Sequence, residues 1–288
     1  MERGLFMEKH AYLIMAHNNF YTLEKLLSLL DDPGNDIFLH IDKKAKQADL
    51  QNLRDICTKS GVYFTRRLDV KWGSHHQVRA EMLLFRAAWK KGPYRYYHFI
   101  SGCDLPLKSQ TEIHSFFADK TVDYISCDQT AQKDLERIAT YRYVFGKDTE
   151  KQRLFSEYAD ILQRKLKVDR LKKISWPVRK GANWVSLTQG SVEVLMKHRT
   201  AIRRFTRFGF CADEIYKQTV LIGCGRPFEN NNLRLIDWSR GGDGHPYTFT
   251  EADFDLLTQS EKLFARKFDE KTDRRIIDRI AAYVKGDQ

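Results

Sequence analysis

Tyr96-Tyr97-His98-Phe99-Ile100-Ser101-Gly102-Cys103-Asp104-Leu105-Pro106-Leu107-Lys108 is the stretch whose reading decides the fold. Tyr96 to Ile100 is aromatic and β-branched without a carboxylate or ammonium, the pattern of a strand buried on both faces. The run stops at Ser101-Gly102, and an acid, a proline and a lysine follow. In open α/β sheets ligands collect beyond the carboxyl ends of the strands, so Asp104 is the first candidate for a ligand contact. Ser109-Gln110-Thr111-Glu112 then has the spacing in which a serine caps a helix and a glutamate reaches back to it.

The same alternation runs upstream. Ala11 to Ala16 is a short apolar run ending at His17-Asn18-Asn19, and Leu23, Leu26, Leu27 and Leu30 recur at helical spacing. Asp36 to Ile41 is a second buried strand that delivers an acid, Asp42, at its end. Val62 to Thr65 is a third. Ser74 and Gln77 repeat the capping-box spacing ahead of a helix that ends near Gly92-Pro93. Downstream, strands are expected at Val122 to Ser126, from Lys180 to Thr188 and at Leu233 to Trp238. Helices are expected from Val192 to His198, from Cys211 to about Ile222 with Asp213 and Glu214 in its first turn, at Glu251 to Leu257, at Glu261 to Arg266 and from about Asp273 to Lys285. Between about 130 and 177 the composition turns to long charged helical segments, read as a surface-lying insertion. Strands alternating with helices of these lengths imply an α/β fold with a mostly parallel sheet flanked by helices.

Composition bounds the partners. The chain has 288 residues, 42% of them hydrophobic, enough for a substantial core. Lys+Arg 49 against Asp+Glu 38 gives a net charge of +11, compatible with nucleic acid, an anionic membrane face or a phosphate-bearing substrate. The basic residues concentrate between Lys147 and Lys180. Five cysteines, odd in number and without a Cys-x-x-Cys pair, read as reduced thiols. No apolar run approaches the roughly 20 residues that span a bilayer, and Leu13-Ile14-Met15 is too short for a signal-peptide core. A cytoplasmic protein is expected, with a peripheral contact at the inner membrane face kept open.

Neither a Gly-x-x-x-x-Gly-Lys-Ser/Thr loop nor a Gly-x-Gly-x-x-Gly occurs, which removes the main support for NTPase and dinucleotide readings. No His-Glu-x-x-His is present. The one Asp-x-Asp, Asp253 and Asp255, falls in a helical stretch and reads as helix N-terminal charge. The strand-end acids Asp42 and Asp104 stand singly, whereas hard cations need several oxygen ligands. A site with no metal and with basic side chains on a phosphate is the economical account.

His40-Ile-Asp42-Lys-Lys44, Trp72-Gly-Ser74, Ser101-Gly-x-Asp104-x-Pro106-x-Lys108, Gly181-Ala-Asn-Trp184, Asp213-Glu214, Leu233-x-x-Ile-Asp-Trp238 with His245-Pro246, and Leu263-Phe-Ala-Arg-Lys-Phe-Asp269 follow in order. In this the chain resembles the core-2/I-branching β-1,6-N-acetylglucosaminyltransferases, glycosyltransferase family 14, which also includes peptide O-xylosyltransferases. The resemblance runs from about His10 to Asp269. It implies a GT-A-like fold in one domain over 1–288, a UDP-sugar donor, inversion at the anomeric carbon and no cofactor or metal. By similarity Glu214 looks like the catalytic base and Lys267 like the lysine on the diphosphate. His17, Asp42, Ser74 and Asp104 look placed for the donor, and Trp184, Asp213 and Trp238 for the acceptor.

Each residue also has a plainer reading. Glu214 reads as a first-turn helix charge, Lys267 as an exposed lysine, Asp42 as a turn cap and the tryptophans as core. The branching enzymes pair the lysine with an upstream arginine, but Tyr247 stands here after the His-Pro pair, so Arg240, Arg266 and His245 remain candidates for the second phosphate contact. The expected function is transfer of GlcNAc from UDP-GlcNAc to a saccharide or glycolipid hydroxyl in a bacterial surface-glycan pathway, with no nucleic-acid partner. Xylose or another UDP-sugar is the rival donor, and a non-catalytic basic protein binding glycan or nucleic acid the rival class.

Overall fold

The computed structural model describes residues 9–142, 150–242 and 244–287, the side chain of Arg153 excepted. Residues 143–149 of the expected insertion, with Lys147, and Asp243 of the Gly-rich loop lie outside them. Ten strands are described: β1 His10–Ala16, β2 Asn35–Ile41, β3 Gly61–Phe64, β4 Tyr96–Ser101, β5 Asp104–Pro106, β6 Asp123–Ile125, β7 Val185–Thr188, β8 Phe228–Asn230, β9 Arg234–Ile236 and β10 Phe264–Arg266. Seven form one sheet in the order β3-β2-β1-β4-β7-β6-β8. The first four are parallel, β7 runs against both β4 and β6, and β8 is parallel to β6. The α/β, mostly parallel sheet flanked by helices is the expected fold class.

Period-2 alternation between two covered faces explains why the central strands carry apolar residues at odd and even positions alike. Tyr12 and Ile14 of β1 point into one core with Leu23, Leu26, Leu27 and Leu30 of the helix Phe20–Leu30 and Ile276, Ile277 and Ile280 of the helix Arg274–Lys285. Ala11 and Leu13 point to the opposite core, with Val78, Leu84 and Phe85 of the helix His75–Lys91 and Val220 of the helix Tyr216–Gly223. Both faces are covered, so each carries an apolar set, interrupted by buried His10, His40 and His98.

A second, three-stranded sheet of β5, β10 and β9 corrects two expectations. Glu261 to Arg266 reads as helix in the sequence, but Phe264–Arg266 is a strand between β5 and β9. Asp104, expected in a turn, begins β5 and lies opposite Arg266. Both strands have three residues, too few to display a period, and their partners lie far away in the chain. The capping box at Ser109 and Glu112 forms. Ser74 caps His76 N, but Gln77 turns away from it toward Asp213.

The expected insertion contributes the helices Gln132–Ala139 and Glu150–Lys165 and a 3-10 turn at Leu171–Lys173. All five cysteines are free. Among the described residues no helix is long and apolar enough to cross a membrane.

Candidate active site

A cavity of about 520 Å³ opens at the carboxyl ends of the central parallel strands. His17, Asn18 and Asn19 enter it after β1, and His40, Asp42 and Lys44 come from β2 and its end. Ser101 and Cys103 close β4, Val70, Trp72 and Gln77 form a side wall, and Trp184 leads into β7. The remaining wall is Arg266, Lys267 and Asp269, following β10, with His245 and Pro246. Parallel strands place this cavity where their carbonyl ends converge, so residues as far apart in the chain as His17 and Asp269 meet.

The electrostatics of the wall are specific. The two Asp42 carboxylate oxygens accept the backbone N–H of Lys44 at 2.8 Å and of Val70 at 3.1 Å, which fixes the carboxylate at the rim. His40 Nε2 accepts Leu68 N–H at 3.1 Å, and burial lowers its pKa. Burial also lowers that of His17, with Asp42 opposing. Arg266 donates to Asp104 Oδ1 at 2.8 Å, and its guanidinium lies 4.5 Å from the centre of the Trp184 ring. Asp104 Oδ2 takes Ser101 N–H at 2.9 Å. Burial raises the Asp104 carboxyl, with Arg266 opposing.

Of the residues singled out in the sequence, His17, Asp42, Trp184 and Lys267 line the cavity together. Asp104 does not: it is wholly buried behind Arg266 and acts through it. Ser74 caps its helix, donating to Lys71 O at 2.7 Å, and is not on the wall. Trp238 is 59% exposed and off the wall. Of the three candidates for the second phosphate contact, Arg266 and His245 face the cavity. Arg240 is engaged elsewhere, by Asp237 at 2.6 Å and Asp253 at 2.7 Å. Asp253 also closes the Thr250 cap, as the reading of Asp253 and Asp255 as helix-end charge anticipates.

Asp213 and Glu214 sit in a 3-10 turn, Ala212–Glu214, against the side wall. Gln77, on the cavity wall, donates to Asp213 Oδ2 at 2.7 Å, and Cys211 N–H bonds Gly73 O at 2.8 Å beside Trp72. Glu214 Oε2 accepts Arg137 at 2.6 Å, from the helix Gln132–Ala139. Its carboxylate is partly exposed and is not among the side chains that line the cavity. Burial, reinforced by Glu81 and Glu214, pushes the Asp213 carboxyl up to about 7.

A fully buried ion pair fastens this turn. Lys217 Nζ meets Glu81 at 2.7 Å and Asp213 O at 3.0 Å and also reaches Asn183, whose amide donates to Glu81 at 3.0 Å. An ammonium without such partners would be far too costly to bury. Gly181 closes the arrangement: its N–H bonds Glu214 O at 2.9 Å, and a Cβ there would lie 1.7 Å from Ser126 O. Arg137, Lys217 and Glu81 carry no motif that marks them in the sequence, and Gln77 is marked there only as a helix-cap partner. Their roles come from partners 77 to 136 positions away.

The comparisons with known proteins bear on what such a site does. The bifunctional glycosyltransferase WbbM in its apo form superposes with a TM-score of 0.50 at 10% identity, over 100% of this chain and 53% of that one. That likeness shows the fold: a GT-A-like arrangement. Mouse xyloside xylosyltransferase 1, also apo, gives a TM-score of 0.39 at 13% identity over 89% and 96% of the two chains. No curated protein matches the sequence. The profile described as Core-2/I-Branching enzyme matches residues 10–261. The protein belongs to the Core-2/I-branching enzyme family and is a glycosyltransferase.

Proposed function

We propose that the chain is an inverting transferase that moves GlcNAc from UDP-GlcNAc to a saccharide hydroxyl without a metal ion. The observation that carries this reading is the meeting of Lys267, Arg266 and Lys44 with His17 and Asp42 in one strand-end cavity. Three cations suit a diphosphate, and Asp42, held by two backbone amides, suits a ribose hydroxyl. The sugar and the inverting course rest on the family to which the chain belongs.

In this scheme an acceptor hydroxyl attacks the anomeric carbon from the face opposite UDP. Its proton passes to Glu214, the bond from that carbon to the diphosphate oxygen breaks, and the charge left on UDP falls to Lys267 and Arg266. A positioned base contributes typically 10² to 10⁴ in rate. The Arg137 contact at 2.6 Å holds one Glu214 oxygen and orients the other. Trp184, on the cavity wall, supplies an indole against which a sugar face can lie.

UDP release from UDP-GlcNAc, UDP-xylose and UDP-galactose, with and without chelator, tests the proposal. UDP-GlcNAc is expected to turn over fastest and to be indifferent to chelator. Preference for UDP-xylose would replace the donor, and a strict Mn²⁺ requirement would overturn the metal-free account.

A further inference from the structure

The helix Glu150–Lys165 is amphipathic, yet it is mounted in reverse. Its protein side is polar: Gln163 is buried and bonds Tyr141 N–H at 2.7 Å and Tyr141 O at 3.1 Å, and Asp160 pairs with Arg142 at 2.5 Å. Leu154, Tyr158, Ile161, Leu162 and Leu166, spaced at three and four residues, point the other way and are 46% to 71% exposed. Helices of globular proteins bury that stripe. Here five large apolar side chains occupy one outward face, the kind of patch that marks an interaction surface.

The surroundings of the stripe are cationic. Lys151, Arg164, Lys165, Lys167, Lys172 and Lys173 are exposed in the same segment, against Glu150 and Glu157. A two-fold contact between copies would set this cluster against itself, and like charges at short range repel. An anionic lipid surface satisfies both features at once, taking the apolar stripe among its acyl chains and the cations among its headgroups. We propose that the outward face of the helix Glu150–Lys165, with Leu166, docks the enzyme on an anionic bilayer.

The segment that carries the docking face packs on the helix Gln132–Ala139. Arg170, just after the helix, donates to Ile138 O and Thr140 O, so the segment packs on the helix that carries Arg137, the partner of Glu214. Bilayer docking does not depend on which sugar the donor site takes, because it uses none of the cavity residues.

Co-sedimentation of the full chain with vesicles of phosphatidylglycerol and phosphatidylcholine, against pure phosphatidylcholine, tests the proposal. Binding is expected to the anionic vesicles and to weaken with salt. The Ile161→Asp, Leu162→Asp double variant, exposed and therefore compatible with folding, should lose at least about tenfold in affinity. Lys165→Glu, Lys172→Glu, Lys173→Glu should lose on the order of 100-fold. Both variants should keep wild-type UDP release from a soluble donor. Absence of vesicle binding, or variants that bind as wild type does, would overturn the proposal. So would self-association in solution that the Ile161→Asp, Leu162→Asp variant abolishes without any change at vesicles, which would assign the face to a second copy.

Discussion

Glu214 and Asp213 are neighbours in sequence with opposite surroundings. Glu214 is partly exposed and held by a guanidinium, whereas Asp213 is buried with one oxygen on Gln77 and the other, Oδ1, without a partner among the described residues. Glu214→Gln keeps an oxygen for Arg137 but cannot take a proton from an acceptor. Transfer should fall by about 10² to 10⁴ while UDP affinity by calorimetry is unchanged; retained turnover would remove Glu214 from the base role. Asp213 offers a pH test. Its folded-state pKa of about 7 lies above the ordinary carboxylate value, so the folded state holds its proton longer than the unfolded chain. Its contribution to stability is therefore complete below about pH 4 and is lost as pH rises through 7. Asp213→Asn removes that loss. In urea titrations the variant should gain on the wild type by on the order of 2 kcal/mol more at pH 8 than at pH 5. A difference that stays level with pH would mean that the carboxyl is not held neutral.

At the scale of elements, β10 couples the small sheet to the site. It places Arg266 opposite Asp104 in the antiparallel register with β5, and the chain then turns Lys267 into the cavity. Arg266 is pinned between a buried carboxylate and the Trp184 ring, so its position depends on a residue that itself never reaches the cavity. Asp104→Asn preserves the size of the side chain and the acceptor for Ser101 N–H but leaves the guanidinium without its countercharge. The variant should lose about 2 kcal/mol of stability and bind UDP several-fold more weakly while uridine binding is unaffected. Loss of stability with UDP affinity intact would make Asp104 a structural residue only. The buried Lys217 and Glu81 pair does for the Asp213-Glu214 turn what Asp104 does for Arg266.

Over the whole molecule, the central βα alternation, the helix cap at Ser109 and the strand-end positions of His17 and Asp42 were legible because each is written within a dozen residues. Apolar period, a capping residue and an abrupt polar stop are local signals. Asp104 was legible as a buried-strand neighbour but not as a residue behind the site, because whether its carboxylate faces a ligand or Arg266 depends on β10, 162 positions away. Ser74 and Trp238 matched a pattern and were placed elsewhere by packing. The reverse mounting of the helix Glu150–Lys165 was invisible for the same cause: periodicity shows that a helix has an apolar face, not which way the rest of the fold turns it. The sequence by itself thus determined the α/β class and the family likeness, and between them these named six residues that line the cavity, His17, Asp42, Trp184, His245, Arg266 and Lys267, since pattern and motif are written at short range. Only the tertiary structure decided the antiparallel β7, the strand at β10, the guanidinium held over Trp184 and the fastening of Glu214, because each is a contact between segments whose local patterns carry no information about one another.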